Sequence, residues 1–91
     1  MHVHLYIFKV QREFIEESTR YIAKAHVFGS PRIRWADADS LVELHYILQP
    51  PMPGFEWGEI ETNLENKGGH MLEVELTETE FSELFSRWSS D

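Results

Sequence analysis

The sequence predicts a single small α+β domain over residues 1–91, built as a mostly antiparallel sheet of about four strands with helices packed on one face. Three observations carry that prediction. Residues 3–10 are almost continuously apolar and rich in β-branched and aromatic types. Residues 32–48 hold two alternating stretches around a turn. Phe81, Leu84, Phe85 and Trp88 repeat at helical spacing behind a capping signal. A chain of this length buries only about 60–65 % of its unfolded surface, so a large enclosed cavity is not expected.

The first element, carrying Val3, Leu5, Tyr6, Ile7, Phe8 and Val10, has the apolar continuity of a central strand covered on both faces. From Phe14 the spacing changes. Phe14, Ser18, Tyr21, Ile22 and Ala25 share a helical stripe, Glu16, Glu17, Arg20 and Lys24 lie opposite, and Gly29 stands beyond the end. The start of this helix is open, because Arg12 to Ile15 also suits the strand, with Ser18 as N-cap. His26 would then sit near a helix C-terminus and complement its dipole.

Pro31 interrupts the chain, and Arg32-Ile33-Arg34-Trp35 alternates polar with apolar before the turn-forming Ala36-Asp37-Ala38-Asp39-Ser40. Leu41 to Leu48 alternates again, which predicts a hairpin with Arg32 and Arg34 in cross-strand reach of Glu43 and His45. Pro50, Pro51, Pro53 and Gly54 make a linker that excludes helix or central strand. Beyond it, Trp57, Ile60 and Leu64 have helical spacing, with Lys67-Gly68-Gly69 as a stop. The rival is a strand over residues 55–62 pairing with 70–76. His70 to Leu76 alternates as a strand in either case. Thr77 and Glu80 then match a capping box at the head of a helix over residues 78–89. The order β-α-β-β-(α or β)-β-α resembles a split βαβ arrangement with an added C-terminal helix. Such a fold hosts many functions and selects none.

Charge is the most informative functional feature. Residues 1–45 hold six acids and six bases, whereas residues 46–91 hold ten acids and two bases, so the second half carries the whole net charge of −8. An imbalance of that sign attracts basic surfaces and repels nucleic acid and anionic membrane. No cysteine is present, which excludes disulfides, thiolate metal sites and thiol nucleophiles. Met1-His2-Val3-His4 lacks the basic stretch of a signal peptide, and the longest wholly apolar run, Leu5 to Phe8, is far short of a membrane span. A soluble, cytoplasmic protein is expected.

Catalytic and metal signatures are weak. His2 and His4 share a strand face, and His45 and His70 fall on expected strands, but their spacing matches no metal motif, so surface or sheet-edge histidines are expected, with no metal and no cofactor. Asp37, Asp39 and Ser40 mimic calcium-loop spacing, yet the sixth and twelfth loop positions are Val42 and Leu48. Lys67-Gly68-Gly69 lacks the phosphate-loop pattern, and no Gly-x-Ser-x-Gly elbow is present. Arg32, Arg34 and Trp35 are too few for a nucleic-acid surface in so acidic a chain.

These exclusions leave the acidic half itself. Alternate strand residues such as Glu73 and Glu75 stand about 6.5–7 Å apart, and a face of such carboxylates presents a phosphate-like charge pattern to a basic cleft. The expectation is a small acidic, non-enzymatic interaction module that blocks a basic or nucleic-acid-binding surface of a larger protein. Its contacts would be Glu56, Glu59, Glu61, Glu65, Glu73 and Glu75, with Phe55 or Trp57 as aromatic anchors. In kind this resembles phage-encoded inhibitors of bacterial defence and immunity proteins, without any family motif to carry the resemblance. The alternative is a small dimeric enzyme or ligand-binding domain using His45, His70 or Tyr46 with Glu43. Solubility alone also accounts for a negative surface. The sequence does not decide between monomer and dimer.

Overall fold

The computed structural model describes residues 1–11, 19–48 and 56–90. The elements in chain order are β1 (His2–Gln11), β2 (Thr19–Val27), β3 (Ile33–Ala38), α1 (Leu41–Ile47), α2 (Trp57–Lys67), β4 (Gly69–Glu75), α3 (Glu78–Leu84) and β5 (Ser89–Ser90). The strands form one antiparallel sheet in the order β4-β1-β2-β3-β5. This is the expected α+β class. The expected start of a helix at Phe14, its alternative N-cap Ser18, the proline linker and Phe55 lie outside the described residues.

β1 is an interior strand between β4 and β2, and the register puts Val3 between Val74 and Val27, Leu5 between Leu72 and Ala25, and Ile7 between His70 and Ala23. Those residues form the lower face. Leu44 and Leu48 beside α1, Ile60 and Leu64 of α2, and Phe81, Phe85 and Trp88 of the C-terminal segment join them in one buried cluster. All three helices therefore cover the same face. The opposite face carries His2, His4, Tyr6, Phe8 and Val10, none of the described helices covers it, and Phe8 and Val10 are exposed, so β1 is not buried on both faces as its apolar run suggests.

Two elements differ from expectation. Residues 19–27 form a strand rather than a helix: Tyr21, Ala23, Ala25 and Val27 are buried at alternate positions, a period of two that overlaps the helical stripe because Tyr21 and Ala25 belong to both patterns. The alanines favour helix in isolation, but here Ala23 and Ala25 are fully buried in the sheet. Pairing with β1 on one side and β3 on the other outweighs their propensity. His26 accordingly caps no helix; its Nε2 lies 2.8 Å from the Ser30 carbonyl in the β2–β3 turn, where Gly29 adopts φ +76°.

Residues 41–47 form a helix rather than the second arm of a hairpin. Leu41, Leu44 and Leu48 follow helical spacing toward the core, and Ser40 with Glu43 makes the capping contacts: Glu43 N–H donates to Ser40 Oγ and Asp39 N–H donates to Glu43 Oε2, both at 3.1 Å. The Ser-x-x-Glu spacing was therefore a signal in the sequence that alternation obscured. The expected pairing of Arg32 and Arg34 with Glu43 and His45 is not formed. Arg32 instead bonds Glu78 at 2.8 Å and stands 4.9 Å from the Phe81 ring centroid, while Arg34 lies between Ala25 and Ser90.

Residues 57–67 take the helical alternative, stopped by Gly68 at φ +73° with its N–H donating to Leu64. The capping box of Thr77 and Glu80 opens α3 as expected, but the helix ends at Leu84 rather than near residue 89. Trp88 N–H then donates to the Phe85 carbonyl, the Trp88 ring packs edge-on against Phe85 at 4.8 Å, and Ser89–Ser90 pairs with β3. Leaving the helix early allows that edge pairing while keeping Trp88 buried.

Candidate functional site

The carboxylates expected to form one acidic surface occupy two faces of the molecule. Ile60 and Leu64 anchor α2 on the helix-covered side, where Asn63 Nδ2 also donates to the ring of buried His70 at 2.9 Å. Glu56, Glu59, Glu61 and Glu65 are exposed on the outer surface of this helix. Glu73 and Glu75 project from β4 onto the open side of the sheet, opposite His4 and His2. A partner with a flat contact surface cannot cover both sets at once.

The two sets also differ in how the chain itself treats them. Glu73 pairs with His2 and His4, Glu75 with His2, Asp37 and Asp39 with Arg20, and Glu78 with Arg32. Among the described residues, no ion pair reaches Glu56, Glu59, Glu61 or Glu65. Lys9 borders the same shallow cleft as Glu61 and Glu65 without forming an ion pair with them. Glu61 and Glu65 stand one turn apart, a like-charge arrangement that costs a helix about 0.2–0.5 kcal/mol. Trp57 is half-buried and stacked on His45 at 4.4 Å, so it supports α2 against α1 rather than standing out as an anchor.

On the open face, period-two geometry places His2 and His4 on the same side of β1, and the β1–β4 register sets Glu73 opposite His4. His2 Nδ1 lies 2.6 Å from Glu75 Oε1, and its Nε2 lies 3.2 Å from Glu73 Oε2. His4 Nδ1 shares a hydrogen bond with the Tyr6 hydroxyl at 3.1 Å, and its Nε2 lies 3.6 Å from Glu73 Oε1. The hydrogen bond to Glu75, joined by the one to Glu73, raises the His2 pKa above the ordinary imidazole value, against a smaller opposing effect of desolvation. Phe28 stacks on His4 at 5.5 Å and meets His2 edge-on at 6.1 Å. The start of the strand is paired rather than frayed, since Leu76 N–H donates to the Met1 carbonyl and Phe28 N–H to the His2 carbonyl. Beyond the cluster this face mixes the exposed apolar side chains Phe8, Val10, Trp35 and Met71 with Arg20, Lys24 and Asp37.

The residues of the alternative reading serve different neighbours: Glu43 caps α1, His45 stacks on Trp57, and His70 is buried against Asn63. Tyr46 is exposed and borders a cleft of about 390 Å³ between β3, α1 and the C-terminal segment, along with Trp35, Glu83 and Arg87. Sequence reasoning singled out His2 and His4 but not their convergence on Glu73, which depends on which strand pairs with β1.

Fold and surface together define an α+β domain with one helix-covered and one open sheet face, acidic on the outer helix and rich in imidazole and carboxylate at one end of the open face. Comparison with known proteins finds no family model that matches the chain, and no similar curated protein or solved structure. Among the described residues, no helix is long and apolar enough to cross a membrane.

Proposed function

We propose that the protein is a non-enzymatic interaction module that docks on a basic surface of a larger protein through the outer face of α2. The observation that supports this reading is the unequal use of the chain's carboxylates. Asp37, Asp39, Glu73, Glu75 and Glu78 are engaged by the chain's own His and Arg side chains, whereas Glu56, Glu59, Glu61 and Glu65 have no such partner among the described residues. Four such carboxylates lie at and along one helix, where they can steer and orient a cationic partner. A groove that binds nucleic acid is one basic surface of the right charge, and an inhibitor of phage anti-defence or immunity type is the form this function would take.

The test is affinity capture from the native host with the wild-type protein and with a Glu56→Lys, Glu61→Lys, Glu65→Lys variant, each eluted by a salt gradient. A partner that is held by the wild type, released steeply by salt and absent from the variant supports the reading. Equal retention by the variant, salt-independent retention, or no retained protein overturns it.

A further inference from the structure

We propose that His2, His4 and Glu73 form a binding site for one divalent ion of the zinc type, held by the two imidazole Nε2 atoms and a carboxylate oxygen. One donor atom from each of the three residues lies within 4.8 Å of the other two. The site is on the opposite side of the sheet from the acidic helix and does not depend on the role proposed for it.

Distances carry the first part of the argument. Ligands about 2.0–2.1 Å from a tetrahedral ion stand about 3.3 Å from one another. His2 Nε2 lies 3.2 Å from Glu73 Oε2 and His4 Nε2 lies 3.6 Å from Glu73 Oε1, each near that separation but to different oxygens, so the carboxylate must turn to present one oxygen to both rings. Glu73 is well exposed, so its carboxylate can turn to close the remaining gap.

Orientation carries the second part. A metal-binding histidine usually has its other ring nitrogen held by a carboxylate, carbonyl or similar group, which sets the ring's rotation and directs the free nitrogen at the ion. Glu75 holds Nδ1 of His2 and Tyr6 holds Nδ1 of His4, so both Nε2 atoms face Glu73. Phe28 stacks on His4 and meets His2 edge-on, contacts that restrict both rings. An exposed ion-pair cluster has no need of this arrangement.

Chemistry narrows the ion. Two imidazoles and one carboxylate suit zinc and its first-row transition-metal neighbours, whereas calcium and magnesium require oxygen-rich sets, and zinc is the probe of that class. Three protein ligands leave a fourth position open to water on the solvent side. The two carboxylates at the cluster, Glu73 and Glu75, balance the charge of a divalent cation.

The experiment is a calorimetric titration of tag-free, metal-stripped protein with zinc chloride near neutral pH, paired with nitrogen-15 NMR of the histidine rings. The expected result is one zinc per chain, with the Nε2 resonances of His2 and His4 shifted and their Nδ1 resonances unmoved. His4→Ala and Glu73→Gln should each weaken binding at least about tenfold, and His45→Ala on α1 should leave it unchanged. Glu73 is exposed, so Glu73→Gln keeps the fold and decides the matter if His4→Ala unfolds. No saturable binding, binding unaltered by Glu73→Gln, or ligation through Nδ1 would each show that the cluster is an ion pair only.

Discussion

Tyr6 holds the Nδ1 side of His4 through a 3.1 Å hydrogen bond. Its hydroxyl acts on the cluster only through the orientation of that ring. Tyr6→Phe should therefore lower zinc affinity by about tenfold, the lower end of the range for such outer partners, and leave the melting temperature of the metal-free protein nearly unchanged. A loss of fold stability without a loss of affinity would assign Tyr6 to packing instead. The five histidines divide by environment in the same way. His2 and His4 face carboxylates, His26 bonds a turn carbonyl, His45 stacks on an indole and His70 is buried against an amide. Residue type alone distinguishes none of these.

Among the elements, α3 offers the cleanest thermodynamic test because its cap was legible in the sequence and is formed in the structure. Thr77 Oγ1 accepts from Glu80 N–H at 3.1 Å, and Glu80 Oε1 accepts from Thr77 N–H at 2.9 Å. Thr77→Ala should destabilise the protein by about 1 kcal/mol in urea denaturation at neutral pH. The hydrogen bond from the Thr77 backbone holds the Glu80 carboxyl below its usual range. A depressed carboxylate contributes stability that is present above its unfolded-state pKa and disappears as pH falls through its folded-state value. Glu80→Gln should thus flatten the acid limb of the stability profile, and an unchanged limb would mean that other carboxylates control it. A comparable Ser40–Glu43 cap opens α1, and recognising it required giving more weight to a four-residue signal than to eight residues of alternation.

Across the whole molecule, a net charge of −8 opposes compaction, and α2 concentrates part of that repulsion. Glu65→Lys should relieve it in two ways. It turns the Glu61–Glu65 repulsion into a favourable Glu-to-Lys pair one turn apart, and it places a cation near the negative end of the helix, each worth a few tenths of a kcal/mol or more. The melting temperature should rise, and rise more at low salt than at high salt. If the variant melts lower, Glu65 makes a structural contribution and the acidic helix is not simply a loaded surface.

The α+β class, the strands read over 3–10 and 70–76, the capping box at Thr77 and the one-sided charge were determined by local pattern, because apolar spacing and capping side chains act within a few residues of themselves, whereas the choice between helix and strand after Glu56 was left open by that pattern. Tertiary structure alone decided that residues 19–27 are a strand, since Tyr21 and Ala25 satisfy both periods and only the hydrogen bonds offered by β1 and β3 choose between them. It also decided what the acids do. Pairing β4 with β1 set Glu73 and Glu75 against His2 and His4 and left the carboxylates of α2 facing water on the other side, a separation that arises because strand partners are chosen by long-range packing and not by the chain's own spacing.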